Sequence, residues 1–327
     1  MHRHQSSLTA IAVILAAAVL TPLPAASQTW PQRPVTLVVP FAAGGTTDII
    51  ARLVGREMAR TLGQNVVVEN RGGAGGALGS TQVARSPADG YTILAATVST
   101  HAINPALVRT LPYDALRDFA PVSLLVSVPN VLVVSPKVQA STVQELVALA
   151  KAQPGRFSYA SPGNGSIGHL QAHWLGRVTG MEIQHIPYRG AGPAMQDVVA
   201  GQVEMMIDNL PTALAQIQSG AVRALMVTAT ARVPQLPTVP TAAEAGVGDV
   251  VGGSWTALLA PRATPPAVIQ RLAEAARVAV ADPALQARLA DIAATPIGAG
   301  PKDTAEHLAA ELALWAPIVR ASGVVQE

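Results

Sequence analysis

The sequence predicts an α/β protein built as two similar lobes, and three observations carry that prediction. Continuous apolar runs alternate with apolar residues at helical spacing, the pattern of parallel strands covered by helices on both faces. The alternation restarts after residue 134. At 327 residues the chain is also longer than one ordinary core accommodates.

The elements follow in order. Val35-Thr36-Leu37-Val38-Val39 is a β-branched run, broken by Gly44-Gly45. Ile50, Leu53, Val54, Met58 and Leu62 then recur at helical spacing, and Gly63 supplies the stop. Residues 66–68 predict a second buried strand, followed by Gly72-Gly73-Ala74-Gly75-Gly76 and a short helix to about Arg85. Residues 91–95 predict a third strand, and residues 124–134 one long strand interrupted at Pro129. Thr142 and Glu145 form a capping box for a helix through Lys151. Residues 157–161 read as strand, 162–168 as a glycine-rich turn, and the helix after it runs to about Val178. Three more strands fall at 183–188, 203–207 and 223–228, and a return strand at 255–259. After Pro265-Pro266 the remainder reads as helix, with Ile269, Leu272, Ala276 and Val280 facing inward. The expected lobes are therefore residues 28–128 with 256–327, and residues 129–255.

Composition excludes several classes. Aromatics are 3% of the chain, too few for a base-stacking surface or an aromatic sugar cleft. Cysteine is absent, so no disulfide framework or thiolate metal site can form. Residues 1–27 combine Arg3, an apolar run from about Leu8 to Leu20, and Ala25-Ala26-Ser27, the design of a secretory signal cleaved before Gln28. The apolar run is short of the ~20 residues a membrane span needs, and Pro22 and Pro24 end it. Removing residues 1–27 takes one Arg and no acid, which leaves 21 basic against 20 acidic residues. That balance gives no electrostatic reason to expect nucleic acid or an anionic membrane as partner.

Three loops share one design, a strand end followed by small residues and a helix start: Ala42-Ala43-Gly44-Gly45-Thr46-Thr47-Asp48, Pro162-Gly163-Asn164-Gly165-Ser166 and Arg189-Gly190-Ala191-Gly192-Pro193. A helix start offers unpaired N–H groups and partial positive charge, so it accepts an anion. The same residue types also make ordinary helix caps. Asp208, at a strand end before Asn209-Leu210-Pro211, carries the same two readings: a cap, or a polar group aimed into a cleft. Gly163 to Gly168 matches G-x-G-x-x-G, but the acid a dinucleotide site requires at the next strand end is missing, since Glu182 precedes that strand. No cofactor is expected. Asn164-Gly165-Ser166-Ile167-Gly168 falls one glycine short of the nucleophile elbow G-x-S-x-G. An exported serine hydrolase with Ser166 as nucleophile is the alternative reading, His307 lying late enough to serve as base but in a charged helix that reads as a solvated face. His169 and His173 share a helix face, but two histidines do not fill a tetrahedral site, so no metal is expected.

Longer stretches carry a resemblance. Pro34 to Asp48 (PVTLVVPFAAGGTTD), Glu69 to Gly76 (ENRGGAGG), Asp89-Gly90-Tyr91-Thr92, Leu111-Pro112-Tyr113-Asp114, Asp118 to Val122 (DFAPV), Tyr159 to Ser166 (YASPGNGS), Ile186 to Gly190 (IPYRG) and Leu236 to Thr241 (LPTVPT) resemble the tripartite tricarboxylate transporter receptors, the Bug family. The resemblance runs from about Trp30 to the C-terminus and thins over the last sixty residues. It implies a periplasmic-binding-protein-like fold of type II, two α/β lobes joined by two crossing strands. It also implies capture of a small carboxylate-bearing solute (a di- or tricarboxylate, aromatic acid, amino acid or amide) by lobe closure, without enzymatic activity. The membrane subunits of such a transporter are the implied partner, and a monomer is expected. Carried over residue by residue, the resemblance points to Ala43, Gly44, Gly45, Thr46 and Thr47, and to Ser161, Asn164, Gly165, Ser166 and Asp208. Asp48 matches too, either as a solute contact or only as a helix cap.

Overall fold

The structure is a computed structural model that describes residues 30–248, Val250 and residues 252–324. The signal segment expected over residues 1–27 and the start at Gln28 lie outside the described residues.

The first region runs β1 (Val35–Val39), α1 (Thr46–Leu62), β2 (Val66–Asn70), α2 (Ala77–Ala84), β3 (Thr92–Thr97), a π-helical turn (Ser99–Ile103), α3 (Asn104–Leu107) and β4 (Phe119–Val128). The second runs β5 (Asn130–Val134), α4 (Val143–Ala152), β6 (Phe157–Ser161), α5 (Ile167–Thr179), β7 (Ile183–Pro187), α6 (Ala191–Ala200), β8 (Met205–Asn209), α7 (Leu210–Gln218) and β9 (Arg223–Val227). The chain then returns through β10 (Ser254–Pro261), α8 (Pro266–Ala281), α9 (Pro283–Asp291), β11 (Thr295–Ala299) and α10 (Pro301–Ser322).

These strands form two sheets, one in the order β11-β4-β10-β3-β1-β2 and one in the order β7-β6-β8-β5-β9. The expected all-parallel pairing is only partly present. β1 is parallel to β2 and β3, and β6 to β7 and β8. β10 runs antiparallel to β3 and β4, and β5 antiparallel to β8 and β9, because each enters its sheet directly from the other lobe. Residues 124–134, read as one strand, are two strands in two sheets. Pro129 lacks the N–H a central ladder needs, and the chain changes sheet there. Two further corrections concern edges. β2 was expected to be buried, but it is the sheet's last strand and Val67 is 50% exposed. The C-terminal part is not helical throughout, since β11 adds an antiparallel edge strand to β4.

Packing follows the two periods. On β5, Leu132 and Val134 join Tyr159, Leu175 and Ile207 on one face of the second sheet, while Val131 and Val133 join Ala160, Met206 and Leu210 on the other. On α8, Ile269, Leu272, Ala276 and Val280 are buried as the helical spacing requires. The first lobe's core gathers Leu94, Phe119, Trp255, Leu259 and Trp315, and Ile167 and Leu170 at the start of α5 pack into it from the second lobe. Thr142 Oγ1 accepts the Glu145 N–H at 3.1 Å, and the Glu145 carboxylate reaches back to the Ser141 N–H rather than that of Thr142.

Candidate functional site

A cavity lies between the lobes at the carboxyl ends of the strands, where open α/β sheets place their ligands. Its wall includes Gly45, Thr46, Thr47, Asp48, Thr97 and Ser99 from the first lobe, and Ser166, Ala191, Asp208 and Asn209 from the second. The cavity volume is about 30 Å³. The lobes meet around it: Ala42 donates its N–H to Arg189 O (2.9 Å), Ile167 donates to Ser99 Oγ (3.1 Å), and the Thr46 and Thr212 hydroxyls are 2.7 Å apart.

Four helices begin at this wall, α1 after Gly45, α5 after Ser166, α6 after Gly190 and α7 after Asn209. Only α5 has its first turn closed by its own N-cap side chain, Ser166 Oγ accepting the His169 N–H at 3.3 Å. Gly45, Gly190 and Asn209 make no side-chain cap. α1 and α6, one from each lobe, thus turn uncapped N–H groups and positive partial charge toward one space, whereas at α7 the Leu210 N–H is donated to Pro129 O (2.9 Å) and Pro211 has none. No Lys, Arg or His among the described residues lines it.

Each wall has a distinct local cause. In the first loop Gly44 sits at φ +84°, a region that only glycine enters without steric cost, and its N–H is donated to Asp48 Oδ2 at 3.1 Å. Asp48 Oδ1 accepts from Asn70 (3.0 Å) and pairs with Arg52 (2.9 Å). Burial pushes the Asp48 carboxyl up, but Arg52, the Gly44 N–H and Asn70 together outweigh it and hold the group below its ordinary value. On the second lobe His169 and His185 stack with ring centroids 3.9 Å apart, and Tyr159 stacks on His185. His185 Nε2 is 2.6 Å from Ser161 Oγ, and His169 Nδ1 accepts the Gly165 N–H at 3.2 Å. Burial lowers His169 to about 3 and His185 to about 4, with neighbouring histidines adding to the effect, so both rings are neutral.

Asp208 is different. It is 3% exposed, its Oδ2 has no hydrogen-bond partner, and burial raises it to about 7 against the opposing pull of the Asn209 N–H and the Thr212 hydroxyl. Thr97 Oγ1 and Asn209 Oδ1, on the same wall, are also buried without partners. Unpaired buried polar atoms cost about 1–3 kcal/mol each, a cost a polar solute would remove.

Of the residues expected from sequence, Gly45, Thr46, Thr47, Asp48, Ser166 and Asp208 stand on the cavity wall. Ala43, Gly44, Ser161, Asn164 and Gly165 stand behind or beside it: Gly44 and Gly165 have their amides turned inward, and the Ser161 hydroxyl is held by His185 and Gly163. Asn164 lines a separate hollow at the cleft's lip with Gly75 and Arg189. Ala191 lies in the third of the expected loops, although it was not itself assigned to the site. Thr97, Ser99 and Asn209 were missed. Each ends a strand or follows one by two residues, and that position rule alone would have nominated them. His307, expected on a solvated face, is half-buried edge-on against Trp255 (5.2 Å). His173 Nε2 bonds Ser322 O at 3.0 Å, and the described residues contain no cluster of three metal-ligating side chains. Among them no helix is long and apolar enough to cross a membrane.

Two α/β lobes with a polar cavity between them have the architecture of solute-binding receptors. The chain belongs to the tripartite tricarboxylate transporter receptor family, whose model matches residues 50–324. It is 39% identical to protein BugT of Bordetella pertussis over 317 residues, 97% of each chain. Among solved structures it is similar to Rhodopseudomonas palustris Rpa4515 with adipate, at 38% identity and a TM-score of 0.87, covering 91% of this chain and 99% of that one. It is likewise similar to MatC from the same organism with bound malate, at 36% identity and a TM-score of 0.85, covering 89% and 100%.

Proposed function

We propose that this chain is an exported receptor that captures a small carboxylate-bearing solute between its lobes and presents it to the membrane subunits of a tripartite tricarboxylate transporter. On this reading the signal segment is removed before Gln28, the mature protein works as a monomer in the periplasm, and it catalyses no reaction. The lobes are residues 28–128 with 256–327 and residues 129–255, and the strand crossings near Val128 and Trp255 form the hinge.

One observation carries the reading: two uncapped helix starts, one from each lobe, face one cavity that no cationic side chain of the described residues lines. Hydrogen bonds to a charged group give ~1.5–3 kcal/mol each, and helix ends add ~0.3–1 apiece. Four or five such contacts, less ordering costs, reach about −8 kcal/mol, which is micromolar affinity. The adipate and malate held by the two R. palustris relatives support the carboxylate class. The hydrolase alternative draws nothing from the site, where Ser166 Oγ caps α5 and His307 packs on Trp255.

A thermal-shift screen over malate, adipate and other mono-, di- and tricarboxylates, amino acids and amides tests it. A solute at 100 times its Kd should add ~2.7 kcal/mol of stability. Gly45→Val should abolish the shift, since even a Cβ there stands 3.4 Å from Ala191 Cβ across the cleft. Ser166→Ala should weaken binding at least tenfold, the equivalent of ~1.5–3 kcal/mol. A screen in which no carboxylate shifts the midpoint defeats the proposal.

A further inference from the structure

The carboxylate reading leaves Asp208 unexplained. An acid lines a cavity meant for an anion, with no cation on the wall and one oxygen unpartnered. Two carboxylates cannot both stay ionised at hydrogen-bond distance in a dry site, because their repulsion adds to the desolvation each already bears. The Asn209 N–H and the Thr212 hydroxyl lie on Asp208 already, yet Oδ2 accepts nothing. A protonated Oδ2 resolves both problems, since it removes the second negative charge and gives the unpartnered oxygen an O–H to donate. Resting on the receptor reading above, we propose that Asp208 carries a proton on Oδ2 whenever a solute carboxylate occupies the cavity, and donates that O–H to it. The proton comes from the medium, so capture of one anion takes up one proton.

The surroundings leave Asp208 as the group that titrates. β5 and α7, which flank β8, carry no titratable side chain. β6 contributes Tyr159, pushed up by burial. α5 contributes His169, kept neutral by burial, together with His173 and Arg177, which are turned to the carbonyls of α10. α6 contributes Asp197, bound by the Tyr188 hydroxyl at 2.5 Å. Across the cleft α1 contributes Asp48, paired with Arg52. The raised value of Asp208 in the empty site, about 7, agrees with this order of affinities for the proton.

Isothermal titration of the full mature chain with malate and with adipate, at pH 8 in phosphate and in Tris, measures the proton. The observed enthalpies should differ by close to one buffer ionisation enthalpy, with the sign of uptake, and Kd should rise up to about tenfold per pH unit above 7. Asp208→Asn, which keeps the shape and supplies an N–H donor, should hold one affinity from pH 6.5 to 8.5 and show no buffer dependence. If the wild-type enthalpies match in the two buffers, or show release, Asp208 is ionised in the complex and the inference is wrong although the receptor reading stands. If the variant misfolds, the wild-type buffer difference still decides. If neither these nor any other carboxylate binds, both readings fall together.

Discussion

Two aspartates stand on the wall of one cavity and are held in opposite ways. Asp48, on the first lobe, has Arg52, Asn70 and the Gly44 N–H gathered around it and stays ionised. Asp208, on the second, is as closed to solvent but lies deeper in the protein and leaves Oδ2 without a partner. The difference teaches that depth and partners together set a carboxylate's charge here: the fold surrounds Asp48 with a cation and two N–H donors and leaves Asp208 with the Asn209 N–H and the Thr212 hydroxyl against a larger burial cost. The 42–48 loop thus reaches the cleft with its carboxylate fully partnered, whereas Asp208 and Asn209 on the second lobe and Thr97 on the first leave polar atoms unpaired.

The comparison can be broken or sharpened by experiment. Asp48→Ala removes the acceptor shared by three donors, so the loop around Gly44 loses its shape. Solute binding should fall a hundredfold or more, and stability by about 3 kcal/mol, measured by calorimetry and urea unfolding. A mild effect would mean the partnered carboxylate does not hold the loop. Acid should come next. His101, His169 and His185 are depressed by burial to about 3, 3 and 4, below the unfolded value near 6.5, so the unfolded chain binds protons first. Their contribution is intact above pH 6.5 and is lost as pH falls toward 4 and 3, costing about 2 kcal/mol or more by pH 5. An unfolding midpoint that does not move between pH 7 and 5 would contradict this. Asp208→Asn should do the reverse of Asp48→Ala and stabilise the empty protein by about 1 kcal/mol at pH 8, a few degrees in Tm. Because Asp208 is raised, that gain should be full above about pH 7, shrink as pH falls, and vanish near pH 4, where the unfolded group is also protonated. Smallest of all, His307→Ala should leave affinity unchanged and cost about 0.5–1 kcal/mol for its ring contact with Trp255.

Much of this was legible before any coordinates. Gly63 as a left-handed helix stop, the Thr142 cap and the inward residues of α8 follow from local rules that tertiary contacts do not override. The loops at 42–48 and 162–166 announced themselves through glycine and hydroxyl residues beside a helix start. Thr97 and Ser99 did not, because the chain after β3 enters a π-helical turn with no glycine to mark it. The mixed pairing of β5 and β10 was hidden for another reason: strand direction depends on which lobe the chain arrives from, and an apolar run looks alike both ways. Which loop amides are already paired depends on the His169 ring, held by its stacking on His185, and on Ser99, brought in by the other lobe, and spacing reveals neither.

The lip of the cleft is lined by glycines whose importance has nothing to do with the solute. A Cβ at Gly75 would stand 1.9 Å from Asn164 O, one at Gly72 2.5 Å from Arg189 O, one at Gly190 2.7 Å from Ala42 N, and one at Gly192 2.5 Å from Ala43 O, each across the gap between lobes. These contacts are where the two lobes touch. A substitution that adds a single methyl there would push the two lobes apart without changing any residue of the cavity wall. A map of damaging substitutions would therefore outline the mouth as well as the cavity, and comparing that map with the spread of solutes would separate the parts that choose from the parts that shut.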